Sequence, residues 1–547
     1  MVDIIIKNGT LLDGSGAPRY LGDVAIKDGL IVDIAKKIDY KAQRIIDASG
    51  LYITPGFIDT HSHADKIVLF DNSSYNALEQ GITFQLMGQC GESPAPYSPG
   101  QMLAIENTVP NEEFDRVKAI TDTPESFIAE AESHNYGVNI AFLIGHQALR
   151  AYGVGYDDVK PTQKQMAAME EMLERAMKSG YWGMSTGLVY APSVYADTAE
   201  LVRLSKVAAR HNGIYASHIR GEGFKVMDAV DEAIAIGRES GARVLISHLK
   251  VMGEQNKGKS KQLLEKIDRA NEAGVFVYAD QYPFDAGSAP LITQIPPKYL
   301  QGGISDAVER LKDVELRRQM LYSIFNEVDE YESCLSFSGF EKTEIAEAPY
   351  TPEHIGKTIT QLAEEQGKEP FDAYCDLLIV NKGDAQGIYL NQNMEDICRI
   401  MVHPHVFAGC DWAEYTRYHE PNEVGGGHPR GTGTMTRRLE IMRNYDLCSA
   451  ENAISSITGR PAAALGIPNR GILKAGYAAD ICIIDYPNIS CTADYKHPFA
   501  KNKGLEYVLV NGQIALENGT ITGRRAGVVV KHNNLCEIYR KAEKRKS

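Results

Sequence analysis

The sequence predicts an α/β protein, a (β/α)8 TIM-type barrel carrying a small β-sandwich domain built from both chain ends. Three observations predict it. Eight short apolar runs alternate with helical patterns through the middle of the chain. Short strands with Asn-Gly and Asp-Gly turns occupy both ends. Residues able to hold a metal fall where the apolar runs end.

In chain order, the N-terminal strands read as Ile4–Lys7, Leu21–Lys27, Ile31–Ile34 and Ala42–Asp47, set apart by the turns Asn8-Gly9, Asp13-Gly14 and Asp28-Gly29. The C-terminal part looks alike, with Ile481–Asp485, Leu505–Val510 and the turn Asn511-Gly512. Residues 1–55 and 465–535 are therefore expected to pair as one small β domain. The barrel strands are expected at Gly56–Thr60, Thr83–Gly88, Asn139–Gly145, Gly183–Gly187, Ile214–Ser217, Arg243–Ser247, Val275–Asp280 and Val406–Cys410. Helical patterns at Thr162–Ser179, Thr198–His211, Phe224–Ser240 and Lys259–Ala273 separate several of them. The barrel spans 56–464. It is interrupted by a long insert at about 285–400 with helical patterns of its own, and residues 536–547 form a charged tail.

Composition sets bounds. The 547 residues are 44% hydrophobic and 24% charged, enough for a large core and unlike a disordered or fibrous chain. A net charge of -15 argues against nucleic acid and anionic membranes as partners. Nine cysteines, an odd number in so long a chain, fit free thiols in a reducing compartment. No run is long and apolar enough to span a membrane, and the first residues do not read as a signal peptide. The expectation is a cytoplasmic protein acting on small molecules, with homo-oligomerisation left open.

The chemistry concentrates at strand ends. His61 and His63 follow the first strand and share a face by the period of two. Cys90 follows the second strand, His218 ends the fifth, His248 the sixth and Asp411 the eighth. Any one of these, alone, reads more simply as a packed polar residue. Six together at the C-terminal strand ends, where barrels place their active sites, point to a metal centre. His146, after the third strand, stands evenly between a supporting and a structural role, while His403, His405 and His419 read as structural. Imidazoles with one thiolate suit Zn²⁺. Zinc lowers the pKa of water it holds to about 7, and Asp411 is placed to relay the proton to a leaving amine.

The pattern His61-Ser62-His63 with His218, His248 and Asp411 resembles the amidohydrolase superfamily, as do Pro55–Asp59 entering the barrel and Gly471–Asp480 leaving it. More narrowly, Gly187-Leu188-Val189-Tyr190, Ser217–Arg220, Ser247–Lys250, Gln281–Phe284 and His428–Gly431 resemble the N-acyl-D-amino-acid deacylases. The resemblance implies hydrolysis of N-acyl-D-amino acids. It implies one tight zinc site at Cys90, His218 and His248, and a weaker second site at His61, His63 and Asp411. Cys90 would stand in for the carboxylated Lys that many relatives carry on strand 4, where this chain has none. The resemblance also implies a substrate carboxylate held by Lys250, Tyr282 and Arg430, and Tyr190 in the pocket.

The segment Asp285–Pro297 contains neither Arg nor Lys and offers Pro290, Leu291, Ile292 and Ile295, which suggests a neutral or apolar D side chain. Two alternatives stand beside this reading: a cyclic-amide hydrolase of the hydantoinase or dihydroorotase kind, and a non-catalytic scaffold of the same fold.

Overall fold

A computed structural model describes residues 1–100, 106, 109–414 and 425–532. His419 and the tail 536–547 lie outside the described residues. Strands from both chain ends hydrogen-bond into one nine-stranded sheet. Ile481–Ile484 runs antiparallel to Tyr52–Pro55, and the latter parallel to Val2–Leu11. Period-two apolar residues explain the sheet. Ile4, Ile6, Val24, Ile26, Ile46, Ile481 and Ile483 pack into one cluster while their neighbours turn the other way. After Thr520–Ile521 the chain leaves this sheet. Residues 527–530 bridge instead to Tyr136 and Ile140 beside the third parallel strand, and Val530 O accepts a 2.6 Å hydrogen bond from Trp182 Nε1.

The middle of the chain lays down eight parallel strands. They are Phe57–Asp59, Ile82–Met87, Asn139–Phe142 with Ile144–Gly145, Gly183–Gly187, Ile214–His218, Arg243–Ile246, Val277–Gln281 and Val406–Ala408. The first three pair in order, and so do the last six segments, from Ile144–Gly145 to Val406–Ala408. Across the remaining gap, Thr60 N donates to Ala408 O at 3.2 Å and Asp411 N to His61 O at 2.8 Å. Alternation again sorts the side chains. Ile58, Phe84, Leu86, Ala141, Leu143, Ala216, Leu245 and Phe407 share one cluster with Trp182. Met184, Tyr215, Val244, Ile246 and Val277 face the helices in another.

Amphipathic helices separate the strands. Gln163–Ser179 starts on a Thr162–Gln165 capping box and buries Met166, Met169, Leu173 and Met177. Thr198–Arg210 is capped by Asp197, whose carboxylate accepts from Glu200 N.

The insert differs from the sequence expectation. Its helices form, including Val314–Asn326, Ile359–Gln366 and Pro370–Val380. It also contains a three-stranded antiparallel sheet of Ala286–Pro290, Thr343–Glu347 and Gln386–Leu390. The insert has its own core around Leu291, Leu335, Ile345, Phe371 and Tyr374. Among the described residues, no helix is long and apolar enough to cross a membrane.

Candidate metal centre and active site

The C-terminal ends of the parallel strands carry all six predicted ligand residues into one place. His61, Cys90, His218, His248 and Asp411 are buried, and His63 is partly so. Cys90 Sγ is the hub. It lies 3.4 Å from His61 Nε2, 3.8 Å from His218 Nδ1 and 3.3 Å from His248 Nε2. Asp411 Oδ1 lies 3.3 Å from His61 Nε2 and 3.2 Å from His63 Nε2. Two groups result whose ligand atoms fall within 4.8 Å of one another: His61, His63, Cys90 and Asp411, and Cys90, His218 and His248. Backbone close approach makes this convergence possible. A Cβ on Gly187 would meet Cys90 O at 2.1 Å, and one on Gly409 would meet His61 Cβ at 2.5 Å, so neither position accepts a larger residue without displacement.

Two residues absent from the sequence prediction aim the imidazoles. Asp280, at the seventh strand, accepts from His248 N at 2.7 Å and lies 3.1 Å from His61 Nδ1. By accepting the hydrogen bond from His61 Nδ1, Asp280 turns the ring so that Nε2 faces Cys90 and Asp411. Glu222, four residues after His218, does the same on the other side. Its Oε1 is 3.0 Å from His248 Nδ1, its Oε2 is 3.7 Å from His218 Nε2, and it pairs with Lys250. Both could have been suspected from position, since Asp280 sits at a strand end as the ligands do and Glu222 shares the loop after His218.

A model of the amidohydrolase family matches residues 44–291 and 338–516. The chain belongs to the amidohydrolase family. A D-aminoacylase of Alcaligenes xylosoxydans xylosoxydans is 31% identical over 536 residues, covering 96% of this chain and 97% of the relative. An N-acyl-D-aspartate deacylase of the same organism is 32% identical, covering 96% and 95%. The crystal structure of N-acyl-D-glutamate deacylase from Bordetella bronchiseptica, complexed with zinc and a phosphonate inhibitor, superposes with a TM-score of 0.81 at 30% identity, over 97% of this chain and 99% of that one.

In this amidohydrolase the fourth strand, Gly183–Gly187, carries no Lys, so Cys90 is the anionic residue shared by both ligand groups. Burial pushes the Cys90 thiol up, but the imidazoles of His61 and His248 win and hold it well below the ordinary thiol range. Burial pulls the His63 imidazolium down, yet its contacts with Asp411 and Cys90 raise it to about 10. Burial likewise opposes ionisation of Asp411, and the Arg430 guanidinium with the imidazoles of His248 and His61 overrides it. One thiolate, one carboxylate and four imidazoles suit a borderline-soft divalent ion such as zinc.

The ligand groups open into a cavity of ≈ 590 Å³. Lys250, Tyr282, Arg430 and Tyr190 all line it. Arg430 starts the helix Arg430–Asn444 and stacks 4.7 Å over Tyr282 and 5.4 Å over Trp412. Its Nη1 lies 2.7 Å from Asp411 Oδ2 as a charge contact without hydrogen-bond alignment. Nε and Nη1 have no hydrogen-bond partner among the described residues. His428 holds Arg430 in place by accepting from its backbone N–H at 3.0 Å on Nδ1, while Nε2 donates to Ala286 O at 3.1 Å.

The remaining expectations divide. His146 joins Ser193 at 2.8 Å and Glu200 at 3.0 Å, in a buried network with Arg150, and touches neither ligand group. His403 pairs with Asp268 at 3.2 Å. Of the segment expected over the pocket, Pro290 lines the cavity, but Leu291 and Ile295 do not. They are buried in the insert's own core, because the strand Ala286–Pro290 ends there and the chain turns inward.

Proposed function

We propose that this amidohydrolase hydrolyses the amide bond of N-acyl-D-amino acids, releasing a carboxylic acid and a free D-amino acid. The observation that carries the reading is Cys90 Sγ set among the imidazoles of His61, His218 and His248, beside Lys250, Tyr282 and Arg430 in one cavity. Relatives named for deacylation of D-amino acids, matched over 96% of the chain, support it. In this reading the eight parallel strands form a (β/α)8 barrel over 56–464, with the insert at about 285–400. Residues 1–55 with 465–521 form the small β-sandwich domain, while 527–530 run beside the third parallel strand instead of joining it as the sequence led one to expect. The eight described cysteines form no disulfide, which supports a cytoplasmic setting.

Cys90, His218 and His248 form the tight zinc site, and His61, His63 and Asp411 the weaker second one. Zinc held there supplies Lewis acidity toward the scissile carbonyl and acidifies the attacking water. Lys250, Tyr282 and Arg430 hold the substrate α-carboxylate, two cations and a phenol converging on one anion. Asp411 takes the proton of the attacking water as its oxygen adds to the carbonyl carbon, then delivers it to the nitrogen as the C–N bond breaks. Arg430 divides its guanidinium between Asp411 and the substrate carboxylate, so substrate binding loosens its hold on the base. Burial, with the Cys90, Asp411 and Glu222 anions nearby, keeps the Tyr190 phenol protonated. It is thus a donor available to the oxyanion of the tetrahedral intermediate.

For the D side chain, Met252, Cys334 and Asn391 line the cavity and offer no cation beyond those given to the α-carboxylate. That supports a neutral or apolar side chain.

The test is release of free amino acid from matched N-acetyl-D- and N-acetyl-L-amino acids, and ring opening of hydantoins, with zinc supplied. Turnover of the D series alone is expected, D-leucine or D-methionine derivatives ahead of D-glutamate. Turnover confined to hydantoins, or none at all, would reject the reading in favour of a cyclic-amide hydrolase or a scaffold.

A further inference from the structure

A second cavity of ≈ 290 Å³ opens off the main one, sharing His63, Glu92, Tyr190 and Gln386 with it and running on beneath the insert. None of Lys250, Tyr282 and Arg430 lines this branch. In an N-acyl amino acid, the α-carboxylate and the side chain both lie on the amine side of the scissile bond, and the acyl carbons lie on the other. With the carboxylate at Lys250, Tyr282 and Arg430, a branch that meets His63 and Tyr190 but none of those three is on the acyl side.

Its walls have two characters. Ile292, Leu300 and Ile304 give it an apolar side from the insert. Asp65, Glu92 and Asp384 give it an acidic one, against Lys66 and the His63 imidazole, which lies 3.8 Å from Glu92. Asp65 is 7% exposed, and its Oδ1 has no hydrogen-bond partner. Such a bare carboxylate oxygen is costly unless a donor reaches it. Glu347, on the main cavity at the junction, adds a further acid. Burial and the neighbouring Asp384 hold its carboxyl up at about 7, with Lys66 offsetting only part. At about 30 Å³ per water-sized group, the branch has room for a chain of roughly nine heavy atoms.

We propose that this branch is the acyl subsite and that it selects acyl chains ending in a cation, ω-aminoacyl groups whose methylenes lie on the isoleucine wall and whose ammonium meets Asp65 and Asp384. The proposal rests on the deacylase reading above. An acyl chain ending in a carboxylate would meet the same acids and be repelled, and a plain alkyl chain would leave Asp65 unpaired.

The test compares kcat/KM for the N-(6-aminohexanoyl), N-hexanoyl, N-(5-carboxypentanoyl) and N-acetyl derivatives of one D-amino acid, using the zinc-loaded full chain. The aminohexanoyl compound is expected to exceed the hexanoyl compound by at least about tenfold, the scale of one charged hydrogen bond, with the carboxypentanoyl compound last. In Asp384→Asn, and further in Asp384→Asn with Glu347→Gln, the ratio is expected to fall toward one. If the N-acetyl compound is hydrolysed while the ratio is one or favours hexanoyl in the unaltered protein, the acyl assignment fails and the deacylase reading stands. If even the N-acetyl compound is untouched, both fall together.

Discussion

In the nine-stranded sheet and its turns, left-handed backbone outside glycine includes Asn8, Asp28, Asn511 and Asn518, and at the mouth of the parallel strands it includes Cys90, His248 and Asp411. In the sheet these are bulge and turn positions, where a short polar side chain eases the conformation. At the mouth, Cys90 (φ 52) and His248 (φ 35) have no such relief, and each residue so held costs about 1–3 kcal/mol. The burial patterns differ in the same way. The sheet's cluster is isoleucine, valine, leucine and alanine. The mouth buries His61, Glu222, His248, Lys250, Asp280, Asp411 and Arg430 together. One region supplies stability through apolar area, and the other stores strain and buried charge that this area must hold in place.

That contrast can be broken at either end. The largest effect is expected from Asp411→Asn, which keeps the shape but removes the base. kcat on an N-acetyl-D-amino acid should fall by about 10²–10⁴, with the far-UV circular dichroism and melting temperature retained. Turnover within a fewfold of the parent would remove Asp411 from the mechanism. Arg430→Lys comes next. It keeps one charge but loses the planar fork and the stacking on Tyr282 and Trp412. An increase in KM of about ten- to a hundredfold is expected, since one charged hydrogen bond or more is lost, with a smaller change in kcat. A fall in kcat at constant KM would instead place Arg430 on Asp411 alone. Ile483→Ala, in the sheet, should leave kcat and zinc content of the folded protein unchanged. It should cost about 2–5 kcal/mol of stability, read from denaturant unfolding. A loss of activity in the folded variant would show that the two regions are not separable as described.

How far the sequence reached follows the same division. The gathering of these strand-end residues at one mouth was legible because each is an unusual residue type at a position the period of two and the strand order define. His61 and His63, Cys90, His218, His248 and Asp411 needed no tertiary knowledge beyond that. The insert's sheet was not legible, because Ala286-Gly287-Ser288-Ala289-Pro290 has no β-branched or aromatic residue and gains its strand form only by pairing with Gln386–Leu390. Glu222 was missed because Gly221-Glu222-Gly223 reads as a solvated loop, and only the fold brings its carboxylate behind two imidazoles. Leu291 and Ile295 misled in the opposite sense. Their apolarity serves the insert's core, and nothing local distinguishes a core leucine from a pocket leucine.

The central claim is that the Cys90 thiolate and the imidazoles of His218 and His248 share one metal ion. The most direct measurement is the absorption spectrum of the cobalt-substituted protein, taken with metal analysis of the zinc form and repeated on Cys90→Ala. A thiolate-to-cobalt charge-transfer band and firmly held zinc are expected in the parent protein, and both should be lost in the variant. A parent without that band, or a Cys90→Ala protein that keeps its full zinc, would contradict the account.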